Sequence, residues 1–214
     1  IGRLVGSEMC IRDRDIDYSL IEVTNVGENS LAKIGDKIII AKELVEDVMK
    51  EISVLSFNSS NTLKGSEFAG TVLAHPLNKN GYEHEVLLLE ADFVTTDQGT
   101  GFVHIAPGHG ADDFELGRQN NLPIPETVSD NGILNNDLPL LGGLRVLKDN
   151  EIIADIMSEH NALIGRGKLN HSYPHSWRSK APLVFRTTPQ WFISMTSNNL
   201  SCLLYTSPSP RDDR

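Results

Sequence analysis

Residues 99–115 read Gly-Thr-Gly-Phe-Val-His-Ile-Ala-Pro-Gly-His-Gly-Ala-Asp-Asp-Phe-Glu. His104, His109, Asp112 and Asp113 thus fall in one short window. Carboxylates there could hold an ammonium group, and imidazoles could shape a pocket, move a proton or ligate a metal. The glycines let the backbone approach a small polar ligand closely. The apolar run 102–106 predicts a buried strand, the Pro-Gly-His-Gly that follows a turn, and 112–120 a short helix. A helix N-terminus presents unpaired N–H groups and favours negative charge.

Each residue has a structural reading beside the chemical one. Asp113 either caps the helix or turns its carboxylate into a pocket, and Asp112 reads as a cap or a solvated residue. His104 sits mid-strand, where a histidine is ordinarily a satisfied core residue. His109 lies in the turn and is either a loop residue or part of a pocket wall. Thr95, Thr96 and Thr100 could offer hydroxyls, although threonine is also common in strands. A metal hydrolase is the competing enzyme reading. However, the His-x4-His spacing crosses from strand into loop, whereas His-Glu-x-x-His sets both rings on one helix face. No Gly-Lys-Ser/Thr follows the glycines, and no Gly-x-Ser-x-Gly is present.

The elements that must position this corner follow from hydrophobic periodicity. Residues 15–23 alternate as a strand, and 37–41 and 85–90 read as buried strands. Residues 42–52 read as a helix with Leu44, Val45, Val48, Met49 and Ile52 on one face. Residues 149–161 predict a second amphipathic helix, with Ile152, Ile153, Ile156 and Met157 together and Asp149 or Asn150 as N-cap. Residues 56–61 read as a polar loop, Gly65 and Gly70 as bends in a curved sheet, and Asn131-Gly132 as a turn. The sum is a β-rich mixed α/β fold, either a barrel or an open sheet on pattern alone.

The chain has 214 residues, enough for one domain with a real core, and 39% apolar and 22% charged residues, ordinary for a globular protein. No apolar run approaches membrane-spanning length, so no membrane partner is expected, and a cytoplasmic setting is the default. The net charge of −10 argues against a general nucleic-acid binder. Cys10 and Cys202 suggest neither a disulfide framework nor a zinc site.

Gly-Thr-Gly-x-Val-His-x-Ala-Pro-Gly-His-Gly-x-Asp-Asp resembles the signature of the editing domain inserted in isoleucyl-tRNA synthetase, a class I aminoacyl-tRNA synthetase. The valyl and leucyl relatives share the Gly-Thr-Gly, the Pro and the last Asp. They differ at His104 and at Gly108-His109-Gly110. Residues 65–76 resemble a second family segment, Gly-x-x-Leu-x-Gly-x-x-x-x-His-Pro, with Phe68 where Leu is usual. Residues 171–195 resemble the segment that returns from the editing insertion to the catalytic core. Ser176 and Ser179 stand there where many relatives carry Cys-x-x-Cys, so no thiolate zinc site is expected, and His175 and Trp177 read as structural.

The resemblance covers residues 15–198 and implies a small β-barrel editing domain decorated by helices. It implies that Asp113 grips the α-amino group of a misattached amino acid and that the bulk of His104 admits valine and excludes isoleucine. Thr100 and His109 are further candidate substrate contacts. The implied partner is the acceptor end of tRNA(Ile) carrying valine, bound weakly by this piece alone because of its acidity. The implied reaction is hydrolysis of the valyl ester, with no metal and no cofactor in this stretch. ATP and Mg2+ would belong to the catalytic domain of a parent enzyme, whose His-Ile-Gly-His and Lys-Met-Ser-Lys-Ser motifs are not in this sequence. The alternative is a non-catalytic module that binds a tRNA end or an amino acid.

Residues 1–14 and 199–214 resemble translated sequencing-adaptor sequence and are read as non-native tails, left out of the fold reading. The expected organisation is an editing domain over 15–170, incomplete on its N-terminal side, and a return segment over 171–198. In the family, a Thr-Thr-Pro-Trp-Thr segment lies just before the region matching Asp15 and forms the other wall of the pocket. Here the adaptor-like residues stand in its place.

Overall fold

A computed structural model describes residues 9–91, 94, 96, 99–167, 172–197 and 200–201. One sheet consists of β2 (Asp17–Val26) flanked by β3 (Lys37–Ala41) and β4 (Val54–Lys64), both antiparallel to it. The β-branched run Ile38-Ile39-Ile40 suits a pleated strand, with Ile40 fully buried and Ile39 40% exposed on the opposite face. A single 3-10 turn, Lys42–Leu44, leads into α1 (Val45–Glu51). All five apolar residues expected on one helix face, from Leu44 to Ile52, are buried against Tyr18, Ile21, Val23 and Ile40.

The expected loop at 56–61 is instead the middle of β4. Its side chains are almost all exposed, so no buried alternation marks it, and its pairing with β2 carries register shifts after Ser19 and Val23. The strand is specified by backbone hydrogen bonds to β2 more than by any apolar pattern.

The second sheet has the order β5 (Val72–Ala74), β6 (Glu85–Glu90), β1 (Met9–Arg12), β7 (Val103–Ile105). β1 runs parallel to β6 and antiparallel to β7. Part of the adaptor-like segment that the sequence reading set aside thus pairs as a strand. Ile11 and Arg12 are buried, and the strand occupies the slot between β6 and β7, whose facing backbone groups it pairs. The described strands form these two sheets, and no closed barrel is found among the described residues. The β-rich mixed α/β class holds.

A third packing centre lies under α3 (Asn150–Glu159), where Ile153 and Met157 pack with Leu77, Tyr82, Val128, Leu134 and Leu141. The helix is rotated from the expected face: Ala154 is buried and Ile152 is 49% exposed. Asp149 is the N-cap but makes no side-chain cap bond; its carboxylate turns back to the backbone N–H and guanidinium of Arg145. No helix among the described residues is long and apolar enough to cross a membrane.

Candidate functional site

The Gly-Thr-Gly segment joins the two sheets. Gly101 has φ +81°, and a Cβ there would lie 2.4 Å from the Ala41 Cβ. Only glycine tolerates both the left-handed backbone and this approach. The Ala41 N–H donates to the Thr100 carbonyl at 2.9 Å, and the buried Tyr18 hydroxyl donates to the Gly101 carbonyl at 2.7 Å. The Tyr18 ring also packs against Phe68 and Phe102, with centroids 5.6 and 4.6 Å away. Burial pushes the Tyr18 phenol above its ordinary pKa, which keeps it a donor.

The Thr100 hydroxyl accepts the Phe102 N–H at 3.4 Å, which ties it to its own turn. The Thr96 hydroxyl donates to Glu43 at 2.9 Å. Thr95 lies outside the described residues. His104, half-buried, is the middle residue of β7, in register with Cys10 on β1. The adaptor-like strand therefore stands directly beside the histidine that the family resemblance puts in the pocket.

From Ile105 the chain turns through Pro107 and Gly108 into α2 (Ala111–Gln119), with Gly110 as an extended N-cap. Asp112 is exposed. Asp113 is 9% exposed, and its Oδ2 accepts the Ala106 N–H at 3.1 Å. Its carboxylate thus lies across the mouth of the turn, anchored at the end of β7. α2 packs tightly on the turn, because a Cβ at Gly117 would lie 2.7 Å from Pro107.

His109 is held at both ring nitrogens, by the Phe185 carbonyl at 2.9 Å and by the Thr127 hydroxyl at 3.2 Å. Its sequence window gave no sign of either partner, since both lie on distant segments. Tyr18 was equally hidden: the alternation of β2 marks it as buried but does not say where its hydroxyl goes.

A cleft of about 910 Å3 is lined by Asp13, Asp15, Asp17, Lys42, Glu43 and Thr96, among others, and includes none of Thr100, His104, His109 or Asp113. Its acidic rim is partly neutralised by the pair between Asp17 and Lys64 at 2.8 Å, which lowers the carboxyl and raises the ammonium from their ordinary pKa values. Among the described residues, no group of three or more His, Cys, Asp or Glu side chains is placed to hold a metal ion. In the return segment, His175 bonds the Tyr173 carbonyl at 2.7 Å, Ser176 and Ser179 shape a tight turn, and Trp177 is 84% exposed.

A family model described as the leucyl-tRNA synthetase editing domain matches residues 29–139. The chain belongs to this editing-domain family of the aminoacyl-tRNA synthetases. Among sequence relatives, it is 44% identical to an isoleucine–tRNA ligase of Pelagibacter ubique over 185 residues, covering 86% of this chain and 20% of that protein. It is also 44% identical to the isoleucine–tRNA ligase of Gluconobacter oxydans over 192 residues, covering 85% of this chain and 20% of the relative. The chain therefore spans about a fifth of the length of these relatives. A solved structure described as GlLeuRS-CP1 shares its fold, with a TM-score of 0.57 at 13% identity, covering 78% of this chain and 81% of that one.

Proposed function

We propose that this chain is the editing part of an isoleucine–tRNA ligase and serves hydrolysis of valine misattached to tRNA(Ile). The need for such a site is energetic. One missing methylene gives only about 1–3 kcal/mol of discrimination in an apolar pocket, and the isoleucine–valine pair is the standard case of that limit. A second, smaller site that hydrolyses the wrong product makes up the difference.

The observation that carries this reading is the Asp113 carboxylate, nearly buried and fixed by the Ala106 N–H at the end of the strand that bears His104. In this role, Asp113 holds the α-ammonium of the esterified valine. His104 limits the depth of the pocket and excludes isoleucine, and Thr100 offers a hydroxyl to the terminal adenosine or to the attacking water. Water attacks the ester carbonyl, oriented by hydroxyls of the substrate ribose and the protein. This stretch uses no cofactor or metal of its own, and ATP with Mg2+ belongs to the synthetic reaction of the whole enzyme.

The partner is the acceptor end of tRNA(Ile). The isolated chain, with a net charge of −10, binds it weakly, and most phosphate contacts fall to the rest of the enzyme. One observation favours a second reading, a non-catalytic module that binds the acceptor end: the adaptor-like residues that stand in the sequence where the resembled family carries its Thr-rich segment pair as the strand Met9–Arg12 beside His104. Release of valine from valyl-tRNA(Ile) by the chain, with acceptor-end binding measured alongside, separates the two. Binding without release supports the second reading.

A further inference from the structure

The Gly108-His109 turn is clasped by a segment far away in sequence. The Thr187 N–H donates to the Gly108 carbonyl at 3.0 Å, and His109 Nδ1 meets the Phe185 carbonyl at 2.9 Å. A backbone carbonyl can only accept, so Nδ1 carries the proton. In the neutral ring, Nε2 then accepts from the Thr127 hydroxyl at 3.2 Å, on a residue that is 4% exposed. Between the two turn contacts, Arg186 points the other way, to the Val128 carbonyl at 3.3 Å and to the Asp130 carboxylate. Three consecutive residues thus lie between the turn and the 127–130 segment, and together they bind both.

The imidazole cannot swing toward a ligand without losing both partners. Its own backbone N–H closes on the Ala106 carbonyl at 2.9 Å, and the Ala106 N–H is the donor to Asp113. A continuous path of hydrogen bonds therefore runs from the return segment through His109 to the carboxylate. We infer that His109 is a positioning residue that locks the turn leading into the helix of Asp113 to the return segment and does not line the pocket. The geometry of the site is then set by a stretch 76 residues downstream of His109. The inference rests on the proposed role of Asp113 only for its consequence in catalysis; the mechanical link stands by itself.

The test is hydrogen exchange by mass spectrometry on the 214-residue chain, followed in peptides covering residues 104–114. Arg186→Ala removes side-chain bonds to Val128 and Asp130 rather than to the turn, yet it should speed exchange there by about tenfold, as should His109→Ala, because local opening becomes easier. His109→Asn, whose amide can still donate to the Phe185 carbonyl, should recover part of the protection. If His109→Ala does not fold, Arg186→Ala and Thr127→Val carry the test. Unchanged exchange in the turn of folded Arg186→Ala and His109→Ala variants would overturn the link. Faster exchange in Arg186→Ala, together with intact valyl-ester hydrolysis in Asp113→Asn of the whole enzyme, would leave the link standing and remove the role of Asp113.

Discussion

The carboxylate of Asp113 accepts the backbone N–H of Ala106, bridging the end of β7 and the head of α2 at 3.1 Å. The contact is structural, and it holds the carboxylate in a fixed place. Asp113→Ala should therefore cost about 1–3 kcal/mol of stability, because it leaves a buried N–H unpaired. Asp113→Asn keeps an acceptor oxygen and should cost less. Urea denaturation of the three proteins checks the order.

Gly117 tests how closely α2 must sit on the turn. Alanine in a helix interior gains up to about 1 kcal/mol over glycine. Here its Cβ would lie 2.7 Å from the rigid Pro107 ring, and overpacking typically costs about 1–3 kcal/mol. The clash should win, so Gly117→Ala should lower the thermal midpoint although it raises helix propensity. A raised midpoint would mean that α2 shifts freely on Pro107.

Tyr18→Phe removes the donor to the Gly101 carbonyl and should destabilise by about 1–3 kcal/mol at neutral pH. The phenol is held above its ordinary pKa in the folded state, so its contribution is full below the unfolded value and is lost as pH rises through the folded one. The stability gap between wild type and Tyr18→Phe should narrow in strongly alkaline solution. Gly101→Ala meets both strain at φ +81° and the Ala41 side chain, and it should be the more damaging change. Parallel urea titrations across pH measure all three.

Acid stability should depend on Asp149. Hydrogen bonds from the Arg145 guanidinium and backbone N–H hold its carboxyl below the ordinary pKa. A depressed folded value means the contribution is present above the unfolded pKa and is lost as pH falls through the folded one. Arg145→Met should therefore move acid unfolding to higher pH, followed by circular dichroism, with little change in stability order at other sites.

Much of this molecule is legible in its sequence because burial leaves a periodic trace. α1, β3 and β6 follow from apolar spacing, and the strand–turn–helix corner follows from its glycines and its Asp pair. β4 was hidden because an exposed, hydroxyl-rich strand carries no apolar period. β1 was hidden because its sequence resembles an adaptor, although Ile11 packs as any core isoleucine would. The face of α3 was misjudged by about one position: four adjacent apolar residues fit several rotations, and packing against Leu77 and Leu141 selects one. The window names Asp113 and His109 as chemically able residues, but their hydrogen-bond partners depend on backbone geometry that spacing cannot convey.

In the proposed editing reaction, the Asp113 carboxylate holds the ammonium of the misattached valine. The most direct test is the rate of valyl-tRNA(Ile) hydrolysis by the whole enzyme carrying Asp113→Asn, with folding confirmed by its unfolding midpoint. Hydrolysis should fall by about a hundredfold or more, as expected when a charge that binds substrate is removed, with tRNA charging by isoleucine unchanged. Wild-type hydrolysis in a folded Asp113→Asn enzyme would contradict it and leave Asp113 as the anchor of the turn alone.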